Sequence, residues 1–222
     1  RLESREIIRF EEYIGGKSFG NDYSLFFKIN TKDFDKISVL TFNFKTNSIL
    51  QNTAAVDLRN QDILQYFEHN GNAKILTLGE KEDVLYIHTI HENLETESKK
   101  IPISQHVFFN DSQRERPFYR IIFDNFETVS GVKMSPSQAS FPMTLPESTR
   151  LTKIYKQNNK LIITLDAGPL YTQLLFVDIE TGETSLKNIT KASAEEEKKV
   201  LQSNSFLLNS ELYQIVRKDA VL

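Results

Sequence analysis

The sequence predicts an all-β protein built of antiparallel hairpins, and three observations carry that reading. Short apolar runs rich in β-branched and aromatic residues recur along the chain, among them YSLFFKI (23–29), KISVLTFNF (36–44) and VLYIHTI (84–90). Such residues suit a pleated, half-buried surface. Polar breaks of two residues separate several runs, at Asn70-Gly71, Asn158-Asn159 and Asn209-Ser210; Asn and Gly tolerate the positive φ that tight hairpin turns require. Finally, 16 Phe and 8 Tyr among 222 residues supply bulky core material although the apolar share is only 39%, so a packed core rather than disorder is expected. This length suits a single all-β domain over 1–222, with a candidate internal boundary in the loop 135–148.

Taken in order, RLESREIIRFEEYIGG (1–16) has no clear period and reads as a short helix or an edge strand, and Gly15, Gly16 and Gly20 then break the chain. Strands follow at 23–29 and 36–44. ILQYFEHNGNAKILTL (63–78) reads as a hairpin turning at Asn70-Gly71, with a helix over 62–69 as the competing assignment. VLYIHTI comes after the polar GEKED (79–83), and VFF (107–109) and FYRIIF (118–123) read as further strands. SPSQASFPMTLPES (135–148) concentrates proline, which lacks a ladder donor and restricts its predecessor, so it reads as a loop, edge or linker. TKIYKQNNKLIITL (152–165) and SFLLNSELYQIV (205–216) are two further hairpins. The one helix with capping chemistry is a short surface helix near 193–202: Ser193 and Glu196 form a capping box, and Glu195 faces Lys199 one turn on.

A degenerate repeat runs through these elements. FNFKTN (42–47), DNFETV (124–129) and VDIETG (177–182) each pair Asn or Asp with an apolar residue, Lys or Glu, and Thr at the end of an apolar strand. The turns of the last two hairpins lie about fifty residues apart, near the period of propeller blades. The stretch KLIITLDAGPLYTQLLFVDIETGETSLKNI (160–189) supplies three consecutive strands, and TKIYKQ before it a fourth. This order resembles the blades of the β-propeller family, each a four-stranded antiparallel sheet, most clearly over 151–216. The resemblance implies a propeller or partial propeller; a β-sandwich and a mixed α+β fold are the alternatives. Three to four blades of about fifty residues do not close a comfortable ring, so a fragment or another mode of closure is expected.

Charge and composition narrow the function. A formal charge of −3 gives no basic face for nucleic acid, and the patch Arg114-Glu115-Arg116 with Arg120 is too small to reverse that. The absence of cysteine excludes disulfides, a Cys nucleophile and Cys-ligated zinc. No run has the length of a membrane span. The chain opens at Arg1 rather than Met, which suggests processing.

Individual motifs carry little chemistry. Gly16-Lys17-Ser18 matches the end of a phosphate-binding loop, but Glu11 stands where the first glycine belongs, so a flexible glycine turn is the better reading. His88 and His91 are three apart, a spacing that on a strand sends them to opposite faces; with Glu92 beside them they read as strand-surface residues, unrelated to His69 and His106. Asp33 and Asp35 share one face of an extended segment. Asp178, Thr181 and Gly182 read as turn chemistry. No G-x-S-x-G elbow or calcium loop occurs, and the sequons at Asn110 and Asn188 are what an Asn-rich chain produces by chance. No catalytic, cofactor-binding or metal-binding residue is assigned.

The expectation is therefore a non-enzymatic binding or scaffold module that contacts a protein partner through loops on a rigid sheet, notably Gln113 to Arg116 and 135–148. A bacterial envelope or secreted setting is preferred over the cytoplasm. The competing expectations are a glycan-processing hydrolase with acidic residues at a propeller mouth, and a structural subunit of a larger assembly.

Overall fold

The computed structural model describes residues 12–30, 35–54, 56–124, 136–138, 150–192 and 200–218. Strands β1 (Glu12–Phe19), β2 (Asp22–Asn30), β3 (Asp35–Asn43) and β4 (Ser48–Ala54) form one antiparallel sheet in sequence order. β5 (Gln61–His69), β6 (Asn72–Gly79), β7 (Val84–Ile90) and β8 (Thr96–Pro102) repeat that plan. A two-stranded ribbon, β9 (Phe108–Phe109) and β10 (Glu115–Arg116), and the helix α1 (Phe118–Asp124) follow. The third sheet runs β11 (Pro136–Gln138), β12 (Thr152–Gln157), β13 (Lys160–Leu165), β14 (Tyr171–Asp178) and β15 (Thr184–Thr190), and β16 (Val200–Leu208) pairs with β17 (Glu211–Lys218). Three successive antiparallel meanders and a hairpin make the protein all-β and propeller-like in plan.

Turn chemistry sets the hairpins. Asn70 and Gly71 sit at φ 47° and 75°, and Asn209 and Ser210 at 49° and 66°, the doubly left-handed geometry of a type I′ turn. The segment 62–69 is accordingly strand. The [ND]-apolar-[KE]-Thr repeat is one structural device used twice. Asn43 Oδ1 accepts the Lys45 and Thr46 amides at 3.1 and 2.8 Å. Asp178 Oδ1 accepts the Glu180 and Thr181 amides at 2.9 and 2.8 Å. Both close the connection from third to fourth strand, and the bond from the Thr181 amide is the chief reason the Asp178 carboxyl lies below its ordinary pKa. The copy at 124–129 lies outside the described residues apart from the backbone of Asp124.

The sheets lie face against face. Phe26, Ile37 and Val39 of the first meet Ala73, Ile75 and Ile90 of the second. Leu76, Leu78 and Leu85, on the second sheet's other face, meet Leu161, Ile163 and Val177 of the third. Ile162 and Tyr155 then turn to Leu207 of β16. The second and third sheets are thus buried on both faces. That explains why β6 and β13 read as unbroken apolar runs, and it rules against a β-sandwich, in which each sheet keeps one wet face.

A buried polar node ties the last hairpin to the third sheet. Asp166 Oδ2 accepts the Ser205 amide and hydroxyl at 2.9 and 2.5 Å, and Oδ1 accepts Thr172 at 2.6 Å. Lys191 donates to the carbonyls of Asp166 and Gly168, and Lys153 to Asn204. Every member named by side chain is buried except Asn204, which is half-buried.

Several expectations are corrected. FYRIIF is helical: Phe118, Ile121 and Ile122, at i, i+3 and i+4, are all buried in the core, a helical stripe that its β-branched content disguised. Gly15 and Gly16 are interior to β1 beside a bulge, not a flexible turn. A Cβ on Gly15 would stand 2.4 Å from the Tyr66 ring, so glycine is there for close packing. Of Gly15, Gly16 and Gly20, only Gly20, at φ 58°, is a turn residue. Of the helix near 193–202, residues 193–199 lie outside the described residues and Val200 already begins β16. Within 135–148, only β11 is described; it pairs parallel with β12.

Candidate functional site

The ribbon β9–β10 stands on a rigid base. Gln173, a buried residue of β14, accepts the Phe109 amide at 2.8 Å through Oε1 and donates to the Val107 carbonyl at 3.0 Å through Nε2. A side chain that satisfies both polar groups of a loop fixes it as a third strand would. Asn110 closes the tip, its Oδ1 accepting the Ser112 and Arg114 amides at 3.1 and 2.9 Å. Gln113 is held at φ 56°, a strained setting for a residue with a side chain and one that clusters at functional segments. Arg114, Glu115 and Arg116 are exposed, as is Val107 at 46%. Arg120 is exposed on α1.

The ribbon joins two sheets. Asp83, in the β6–β7 turn, accepts the Phe118 amide at 2.7 Å and so caps α1 from a distance. On the other side, Phe109 meets Tyr171 with ring centroids 6.4 Å apart. The β6–β7 turn also borders a polar cleft of 340 Å³ lined by Arg59, Gln61, Glu80, Lys81, Glu82 and Tyr86. Its Arg59 forms a two-pronged ion pair with Asp57 at 2.5–3.0 Å.

The remaining candidates fall into separate networks. His88 is buried, contrary to the surface position expected of it, and lies in the sheet behind Gln61. The Gln61 amide oxygen can only accept, so His88 Nε2–H donates to it at 2.9 Å and Nδ1 accepts the Ser98 hydroxyl at 2.7 Å. Burial pushes the His88 pKa down to about 4. His91 follows the strand and bonds Asn72 at 3.1 Å. His69 and Asn70 reach across to Glu180 Oε1 at 2.8 and 2.9 Å, and Lys99 bonds the Glu180 carbonyl. The turn containing Asp178, Thr181 and Gly182 therefore also pins the second sheet to the third, through a glutamate the sequence did not single out. His106 bonds Thr184 at 2.8 Å. Among the described residues, no three His, Cys, Asp or Glu gather to hold a metal ion.

Lys17 is buried in β1 and donates to Glu68 at 2.6 Å, which turns it away from any phosphate-loop role. Glu11, Asp33 and the Asp35 side chain lie outside the described residues. Among the described residues, no helix is long and apolar enough to cross a membrane.

Fold and site together define a propeller-like stack of antiparallel meander sheets that carries an ordered surface ribbon. No protein-family model matches the chain, and no curated protein matches it. Among solved structures it is similar to the β-propeller domain of the Trilobed protease from Pyrococcus furiosus, described as having an open velcro topology, with 12% identity, a TM-score of 0.39 and coverage of 96% of this chain. It is also similar to an acylaminoacyl peptidase in complex with Z-Gly-Gly-Phe-chloromethyl ketone, with 12% identity, a TM-score of 0.31 and coverage of 93% of this chain. The chain spans 59% and 36% of the lengths of these two structures.

Proposed function

We propose that the chain is a non-enzymatic binding module that docks a protein partner on the ribbon β9–β10. One observation carries the reading: an exposed Arg114-Glu115-Arg116 tip is held rigid from below by the buried Gln173. Such preorganisation lowers the ordering cost of binding. Arginine is enriched at the centres of protein interfaces, and Val107 supplies an apolar contact beside it. The partner surface is acidic, to match two arginines on a chain whose net charge is −3. The cysteine-free, Asn/Lys/Thr-rich composition supports a bacterial envelope or secreted setting, where the module serves a multi-subunit assembly.

Native purification from the source with identification of co-eluting proteins tests this reading. The expected result is a protein captured by the natural chain and lost from the double variant Arg114→Glu/Arg116→Glu. Capture of the same proteins by both forms, or of none by either, rejects the ribbon as the docking site.

A further inference from the structure

The turn between β5 and β6 joins a reactive dipeptide to a contact between sheets. Asn70-Gly71 is the one Asn-Gly pair in the sequence, and both residues are exposed. Glycine has no Cβ to shield its backbone nitrogen. Among the described residues, nothing stands within 4 Å of a Cβ placed on Gly71. Asn47 and Asn158 are also exposed turn residues with nearly the same backbone, φ 57° and 51° against 47° for Asn70. They are followed by Ser48 and Asn159, whose side chains crowd the nitrogen that glycine leaves bare.

The chemistry open to Asn70 is intramolecular. The Gly71 nitrogen attacks the side-chain carbonyl carbon of Asn70, the bond from that carbon to Nδ2 breaks, and the amide nitrogen leaves as ammonia with the Gly71 proton. Water then opens the cyclic imide at one of its two carbonyls, giving aspartate or isoaspartate, each with a new carboxylate. Attack requires the side chain to swing onto the nitrogen that follows it. In the fold it is held elsewhere: Asn70 Nδ2 donates to Glu180 Oε1 at 2.9 Å, across to the third sheet, and Nε2 of the buried His69 lies 2.8 Å from the same oxygen. A carboxylate only accepts, so the amide must present its nitrogen, the leaving group, to Glu180.

We propose that Asn70 is a site of spontaneous deamidation, that Glu180 restrains the reaction by holding the amide, and that conversion releases the β5–β6 turn from the third sheet. A carboxylate at position 70 cannot donate to Glu180 and repels it. Isoaspartate also routes the main chain through the side-chain carbon, which lengthens the two-residue turn that sets His69 opposite Asn72. This site is separate from the ribbon β9–β10, and either proposal can fail alone.

Peptide mapping by mass spectrometry, after timed incubation in mildly alkaline buffer, reads the conversion directly, with circular dichroism confirming that each variant is folded. The natural chain is expected to convert at Asn70. Glu180→Ala is expected to convert there about tenfold faster, the rate equivalent of one hydrogen bond to a charged group, and ahead of Asn47 and Asn158. His69→Gln, which keeps the Asn70–Glu180 bond, is expected to leave the rate unchanged. Asn70→Asp reproduces one product and is expected to speed hydrogen–deuterium exchange of the Glu180 and Thr181 amides, both held by Asp178. No conversion at Asn70 overturns the proposal, as does a rate indifferent to Glu180→Ala or raised equally by His69→Gln. Earlier conversion of Asn47 or Asn158 in Glu180→Ala, or unchanged exchange in Asn70→Asp, overturns it as well.

Discussion

His88 gives the structure a defined sensitivity to acid. The imidazole is neutral in the fold because burial opposes its charge, and the negative charge of Asp57 offsets this only in part; its pKa falls from the ordinary 6.5 to about 4. In the unfolded chain the same ring protonates near 6.5. Its contribution to stability is therefore complete above pH 6.5 and lost as pH falls through the interval to about 4. A displacement of about 2.5 units at 1.36 kcal/mol each amounts to about 3 kcal/mol at the acid end. That is a large share of the stability of a typical domain. Urea unfolding of the natural chain and of His88→Gln, at about pH 7 and about pH 4, isolates the effect, since every other titrating group is common to both. The natural chain is expected to lose about 3 kcal/mol more than the variant over that interval. Equal losses would refute the assignment of a buried, neutral His88 donating to Gln61.

Two further outcomes test the packing. Asp166→Ala removes the acceptor of three bonds to Thr172 and Ser205 and is expected to cost about 3 kcal/mol in urea unfolding; a cost no greater than that of Asp111→Ala, at an exposed position, would remove the node from the account. Gly15→Ala forces a Cβ against the Tyr66 ring and is expected to lower stability by about 2 kcal/mol. Adding Tyr66→Ala should cost less than the two single changes summed, and strict additivity would contradict direct contact.

Hairpins were legible in this sequence wherever local chemistry sets them. Asn70-Gly71 and Asn209-Ser210 announce turns because few other residues accept positive φ at both positions. The Asn/Asp-to-Thr repeat was visible for the same reason, since the side chain of Asn43 or Asp178 bonds amides two and three residues on. What distance in space decides was not legible. FYRIIF has strand-like composition, and its helical stripe matters only because the second and third sheets leave an apolar seam for Phe118, Ile121 and Ile122. Gly15 and Gly16 have the composition of a turn, but it is the close approach of Tyr66 and Tyr23 that leaves no room for a Cβ there. For the candidate site, the segment Gln113 to Arg116 was legible in the sequence as a loop, the place on a rigid sheet where contacts sit. Its support was not, because Gln173 lies some sixty residues away and nothing in LYTQLLF marks one glutamine as a loop anchor.

The claim that this chain is a binding module built around the ribbon is tested most directly by hydrogen–deuterium exchange. Exchange would be followed in the chain alone and in complex with its co-purified partner. The account predicts slowed exchange at the Ser112, Gln113, Glu115 and Arg116 amides and unchanged exchange in β1–β4. Protection confined to other surfaces, or none at the ribbon, would contradict it.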